Sequence, residues 1–245
     1  MMSIGIIGSG EMGTCLASKL VRLGHKVSIA NSRGPASLKQ IAEETGAVAA
    51  TVAEAIQNKQ VIIVAIPEKN VPSLPTHLFK DLFGDTVVID TGNFYPSLRD
   101  GAIPALEQHG IDSLWVQQQL GVPIVKVFNS ILATSLKELS RAKGEKDRIA
   151  LAISGDDVKA KEVVFKLVDE LGFDPFDIGP IARSWQQQPG SPVYCRDINL
   201  EELKRRIEIM EAAGPDMHTR IITKRKADEA LMASDYPAYL ESLRD

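Results

Sequence analysis

The chain has 245 residues, of which 44% are hydrophobic and 24% charged, with 28 Lys and Arg against 32 Asp and Glu and a net charge of −4. That length suits one large domain, or one domain plus a smaller part, and can bury a core without staples. The acidic balance argues against a nucleic-acid partner. No apolar run reaches the roughly 18 residues that span a bilayer, and Cys15 and Cys195 form no metal-binding spacing. The first ten residues have no basic segment ahead of their apolar run, so no secretory leader is expected. Two isolated cysteines fit a reducing, cytoplasmic setting.

In chain order, residues 4–8 are expected as a buried strand. Met12, Leu16, Lys19, Leu20 and Leu23 follow at helical spacing, and Gly24 supplies a stop. Residues 26–31 form a second strand, 36–44 a helix and 51–58 a short helix. Further apolar strands are expected at 61–66, ended by Pro67, and at 86–90, 124–128 and 149–154. Asp156 is positioned to cap a helix whose apolar face is Val164, Leu167, Val168 and Leu171, closed by Gly172. A last strand is expected at 175–178. Apolar strands alternating with helices indicate an α/β fold with a doubly wound parallel sheet covered on both faces.

The pattern changes near Gly179. Residues 183–195 are rich in Gln, Pro and Gly and read as a loop. Leu200, Leu203, Ile207 and Met210 share a helical face that packs on the main body or on a second subunit. Gly214 and Pro215 break that helix, and two more helical stretches end the chain. The expected division is a nucleotide-binding domain over 1–180 and a lid loop with small, mainly helical part over 181–245, on the acceptor side or at a dimer contact.

Gly8-Ser9-Gly10-Glu11-Met12-Gly13 is a G-x-G-x-x-G between a strand and an amphipathic helix, the context in which the motif binds a dinucleotide. The first glycine permits the turn, the second lets a pyrophosphate approach, and the third lets helix and strand pack closely. The second strand ends at Asn31, followed by Ser32 and Arg33. No carboxylate is there to bind a ribose 2′-hydroxyl, whereas Ser32 and Arg33 suit a 2′-phosphate, so NADPH is expected over NADH. Ligands of such sheets lie outside the carboxyl ends of the strands. Ala65-Ile66-Pro67, Thr91 with Asn93, and Asn129 mark those ends. The two asparagines read as ribose or carboxamide contacts, or alternatively as turn formers. Lys126 is a weaker candidate, since its strand position is compatible with an exposed edge.

These residues resemble the NADP oxidoreductases that use the deazaflavin coenzyme F420. The matching stretches are Gly8 to Gly13, Ala30-Asn31-Ser32-Arg33-Gly34-Pro35, and Val125-Lys126-Val127-Phe128-Asn129. Ser154-Gly155-Asp156-Asp157, Leu171-Gly172-Phe173-Asp174-Pro175 and Ile178-Gly179-Pro180-Ile181-Ala182 extend the pattern. The resemblance implies a Rossmann-type domain with a small C-terminal part. It further implies NADPH held by the glycine loop, Ser32 and Arg33, direct hydride transfer between nicotinamide and a second ring, and a homodimer. The nucleotide motif also resembles the NADPH domains of metalloreductases and, more distantly, the pyrroline-carboxylate reductases.

Ring-to-ring hydride transfer needs positioning rather than a nucleophile or a metal, and the four histidines, His25, His77, His109 and His218, are scattered and read as surface or helix-end residues. Trp185 reads either as a lid over the acceptor or as a plug between the two parts. Tyr194 reads either as a proton donor to a carbonyl or imine, or as a packed residue. Three functions stay open: exchange of hydride with a deazaflavin or flavin-like ring, reduction of a small carbonyl, imine or metal chelate, and non-catalytic NADPH sensing.

Overall fold

The structure is a computed structural model that describes residues 1–82, 84–214 and 216–244. Pro215, read as a helix breaker, lies outside the described residues. The first half runs β1 (Ser3–Ile7), α1 (Glu11–Arg22), β2 (Lys26–Ala30), α2 (Lys39–Thr45), β3 (Val48–Ala50), α3 (Val52–Ile56), β4 (Val61–Val64), α4 (Thr76–Lys80) and β5 (Val87–Asp90). It continues with α5 (Pro104–His109), α6 (Asp112–Leu120), β6 (Val125–Lys126), α7 (Ala133–Glu138), β7 (Ala150–Gly155), α8 (Val158–Glu170) and β8 (Asp174–Asp177). The helices α9 (Leu200–Ala212), α10 (Asp216–Ser234) and α11 (Tyr236–Ser242) complete the described elements.

The strands form one sheet in the order β3-β2-β1-β4-β5-β6-β7-β8. Each pairing from β3 through to β6 is parallel. The sheet is thus mostly parallel, as expected, with one reversed pairing. β7 runs antiparallel to β6, pairing Val125 with Gly155 and Lys126 with Ser154, and β8 then runs parallel to β7. A fully buried apolar strand looks the same in either direction, because direction is set by the connection and not by composition.

Both faces of the sheet are buried, as the continuous apolar runs require. Ile4, Ile6, Ile29, Ile63 and Ile89 pack with Leu16, Ala17 and Leu20 of α1 and with Val164, Leu167 and Val168 of α8. Ile7, Ile62, Val64 and Val88 pack on the other face with Trp115, Val116 and Leu120 of α6. Leu203, Ile207 and Met210 of α9 cover Ala150 and Ala152 of β7 and Ile178, so the C-terminal stripe packs on the main body.

Local chemistry sets the ends. Thr51 caps α3 in a capping box with Glu54. Asp157, rather than Asp156, caps α8 by accepting from the backbone N–H groups of Lys159 and Ala160. Asp156 accepts instead from the N–H of Ile181 at 3.1 Å. His25, read as a surface or helix-end residue, is buried at the end of α1 and joins the N–H of Met2 to Glu170.

Candidate functional site

The glycine motif lies at the turn from β1 to α1. Gly8 has φ +123° and a Cβ there would lie 2.1 Å from the carbonyl oxygen of Ala65, at the end of β4. A Cβ at Gly13 would lie 2.1 Å from the carbonyl oxygen of Gly8. Both positions therefore exclude any side chain. Gly10, by contrast, faces open space. It caps α1 with no side-chain hydrogen bond, so the first amides of the helix, from Glu11 and Met12 onward, present unpaired N–H groups and the positive end of the helix dipole.

Asn31 ties this loop to the end of β2. Its Nδ2 donates to Ser9 Oγ at 3.1 Å, and its Oδ1 accepts from the N–H of Arg33 at 2.9 Å and from Ser37 Oγ at 3.1 Å. The resulting Asx turn holds Ser32 and Arg33 exposed beside the glycine loop.

At the ends of the central strands, Ala65, Ile66 and Pro67 are half-buried and Thr91 is buried. Thr91 Oγ1 donates to the carbonyl of Val64 at 3.2 Å. Asn93 and Asn129 meet: Asn93 Nδ2 donates to the Asn129 carbonyl at 3.0 Å, and Asn129 Nδ2 donates to Asn93 Oδ1 at 3.1 Å and to the Gln187 carbonyl at 2.7 Å. Phe128, immediately before Asn129, is buried with φ +64°, a backbone region that is costly for a bulky side chain and that collects at functional sites. The buried oxygens Asn129 Oδ1 and Gln187 Oε1 have no hydrogen-bond partner in the protein.

Lys126 is the clearest correction. β6 lies inside the sheet, and the lysine is 1% exposed rather than at an open edge. Its Nζ donates to Asp90 Oδ2 at 2.8 Å and to the Gly92 carbonyl at 2.6 Å. Asp90 Oδ1 accepts from the Gly92 N–H at 2.8 Å, and its Oδ2 also accepts from Ser113 Oγ at 3.0 Å. A buried ion pair holds only when its remaining hydrogen-bonding capacity is met, and Gly92 and Ser113 meet it. Lys126 thus braces the loop that presents Asn93.

Two further ionisable groups pack around Gly92 and Asn93, and the sequence reading missed both. Glu68 follows Pro67 and is fully buried. Its carboxyl lies flat on Gly92, where a Cβ would come within 2.4 Å of Oε1. Burial pushes its pKa well above the ordinary carboxylate range, against the pull of Lys126. Arg99 Nη2 donates to the Asn93 carbonyl, pairs with Asp100 at 2.8 Å and reaches Glu68 at 3.5 Å. Neither residue belongs to a motif; Asn93 and Pro67 were signposts to their neighbourhood.

The segment from 183 to 195 is not an open loop. Ile181–Gln187 is a 3₁₀ helix, and Ser184, Gln186, Gln187, Gln188 and Ser191 are buried. Trp185 is half-buried with Phe176, Ile198, Leu200 and Met217, and its ring lies 5.3 Å from that of His218. Tyr194 is buried and its hydroxyl bonds that of Tyr95; burial raises the pKa of both phenols well above the ordinary value. Arg225 of α10 pairs with buried Asp112 at 3.0 Å and lies over Phe94, while Glu229 accepts from the N–H of Ser97 at 2.7 Å. α10 is therefore held against the loop that follows Asn93 and against α6. Among the described residues no cluster of three or more His, Cys, Asp or Glu suits a metal ion, and no helix is long and apolar enough to cross a membrane.

This arrangement has relatives. The family model for NADP oxidoreductase, coenzyme F420-dependent, matches residues 3–94, which carry the glycine loop, the Ser32–Arg33 turn and Asn93. The crystal structure of hypothetical protein SMa0349 from Sinorhizobium meliloti is 30% identical, with a TM-score of 0.65 over 80% of this chain and 94% of that one. A candidate F420-dependent NADP reductase from Arthrobacter sp. FB24 shares the fold at 22% identity and TM-score 0.58, over 74% of this chain and 86% of that one. Among curated proteins, rat metalloreductase STEAP3 (Rattus norvegicus) is 27% identical over 180 residues, 73% of this chain but 34% of that protein. The chain spans about two fifths or less of the first curated relatives it matches. Matched by that family model over residues 3–94 and 30% identical to a protein of which it covers 94%, the chain belongs to the family of coenzyme F420-dependent NADP oxidoreductases.

Proposed function

We propose that this protein binds NADP(H) and exchanges a hydride with a deazaflavin or flavin-like acceptor. The observation that carries the nucleotide assignment is the Asn31 bridge: one side chain fixes Ser9 of the glycine loop and the exposed Ser32–Arg33 turn, with no carboxylate at the end of β2 to repel a 2′-phosphate. The donor set suits the group. The free amides at the start of α1 and the open face of Gly10 suit a pyrophosphate. The Arg33 guanidinium and Ser32 hydroxyl suit a 2′-phosphate.

When bound, the dihydronicotinamide ring supplies the hydride. The chain's own contribution is positional. Asn93 and Asn129 form the polar floor at the strand ends, and the unpartnered Asn129 Oδ1 is an acceptor suited to a carboxamide N–H. Lys126, Asp90 and Arg99 hold that floor in place. No nucleophile is required.

The likeness to rat STEAP3, a metalloreductase, favours a metal chelate as the second acceptor class. The deciding experiment follows the visible absorbance of oxidised coenzyme F420 with purified protein and NADPH under anaerobic conditions. Saturable bleaching with NADPH and little with NADH is the expected result. Bound NADPH without bleaching overturns the deazaflavin assignment and moves the assay to ferric and cupric chelates.

A further inference from the structure

Glu68 packs against Gly92, beside the Asn93–Asn129 floor, without bonding either asparagine. It follows Pro67 directly, on the strand end whose Ala65 carbonyl blocks any side chain at Gly8. The carboxyl is fully buried, and its Oε1 has no partner. An acid in that setting either carries a proton or needs a cation brought to it.

The cations around it are already paired. Lys126 faces it from β6, Asp90 from β5 and Asp112 from α6. Arg99 reaches it from the turn at Pro96–Asp100, where it is paired with Asp100. Arg225 of α10 pairs with Asp112, and Lys69, next to Glu68, is exposed and donates to the Arg99 carbonyl at 2.5 Å. Lys126 is paired with Asp90, Arg99 with Asp100 and Arg225 with Asp112, and Arg225 also faces buried Glu229. Ionised Glu68 would be a further buried negative charge among cations that already have carboxylate partners, whereas protonated Glu68 adds none.

We propose that Glu68 keeps its proton while the neutral, reduced nicotinamide is bound and yields it to solvent when the cationic, oxidised ring is bound, so that this chain couples nucleotide redox state to proton binding. The inference rests on the NADP(H) assignment above. The coupling is electrostatic: a positive ring at the strand ends supplies the charge that an ionised Glu68 needs. Burial already holds the pKa of this carboxyl well above the ordinary range, against the pull of Lys126. The sign follows. The oxidised ring lowers the proton affinity of Glu68, so NADP+ binding releases protons and tightens as pH rises through the window between the bound-state and free-state pKa values. NADPH lacks this term, and the 2′-phosphate titration is common to both nucleotides and cancels in their ratio.

The test is calorimetric titration of the intact protein with NADP+ and with NADPH, in buffers of different ionisation enthalpy, at several pH values. For wild type, NADP+ is expected to release more protons than NADPH, by up to about one per site, and the NADP+/NADPH affinity ratio to rise by up to about tenfold per pH unit in that window. Glu68→Gln should flatten the ratio while both nucleotides still bind. Equal proton release for the two nucleotides in wild type overturns the proposal without needing the variant. So does a Glu68→Gln protein that keeps the wild-type slope. If neither nucleotide binds wild type, the cofactor assignment falls and the coupling with it.

Discussion

Lys126 Nζ lies 2.8 Å from Asp90 Oδ2, with both side chains shut away from solvent, and the same ammonium reaches the Gly92 carbonyl at 2.6 Å. A positive charge in the middle of an apolar sheet is thus the fastening of the loop that carries Asn93. Removing one partner of a buried pair costs about 3–5 kcal/mol, because the other charge is left uncompensated. Lys126→Met should lose that much stability, measured by urea unfolding. Adding Asp90→Asn to it should recover part of the loss, since the carboxamide keeps an acceptor for Gly92. Additive losses in the double variant would contradict the pairing.

Gly10 and Gly13 should separate binding from folding. The Gly10 backbone, at φ −76°, accepts alanine, and its Cβ would meet nothing within 4 Å. Gly10→Ala should therefore melt like wild type yet bind NADPH at least about tenfold more weakly, a loss of about 1.4 kcal/mol from a methyl in the pyrophosphate's path. Gly13→Ala forces a Cβ to within 2.1 Å of the Gly8 carbonyl, and overpacking of this kind costs about 1–3 kcal/mol of stability as well. Thermal melts paired with titrations check both. Unaltered NADPH affinity in Gly10→Ala would move the pyrophosphate elsewhere.

Arg33 should carry the preference for the phosphorylated nucleotide. Hydrogen bonds to a charged group contribute about 1.5–3 kcal/mol, so Arg33→Ala should weaken NADPH about tenfold to a hundredfold. Its affinity for NADH should stay the same. A similar loss for both nucleotides would make Arg33 a general contact and not a 2′-phosphate one.

The two thiols should react unequally. Burial raises both, and that of Cys195 reaches about 12. Only the thiolate attacks, so at pH 8 Cys195 should resist iodoacetamide in the folded protein and react after denaturation. Half-buried Cys15 should react first, though slowly. Modification of Cys195 in the native state, located by mass spectrometry, would contradict its burial.

Some of this was legible in the residues alone. The glycine spacing, the apolar strands and the missing acid after β2 are local patterns, and local patterns survive without tertiary information. β3 escaped notice because Val48–Ala50 is three residues with two alanines, too short to show alternation. The reversal of β7 was hidden because a buried strand has no polar side to betray its direction. Lys126 and Glu68 show the harder limit. Whether a charged residue beside apolar neighbours is an edge group or a buried partner depends on which strands flank it, and Asp90, Gly92 and Arg99 meet them only in the fold. The 183–195 segment misled for a related reason. Its glutamines look solvent-loving, but their amides bond across to the Lys126 carbonyl, Ser154 and Gly110.

In the proposed NADP(H) site the glycine loop and the Ser32–Arg33 turn act as one unit. This is tested most directly by titrating the wild-type protein in parallel with NADPH and NADH, following nicotinamide fluorescence. Saturable one-site binding of NADPH is expected, tighter than NADH by at least about tenfold, or about 1.4 kcal/mol. Equal affinity for the two nucleotides, or no binding of NADPH, would contradict it.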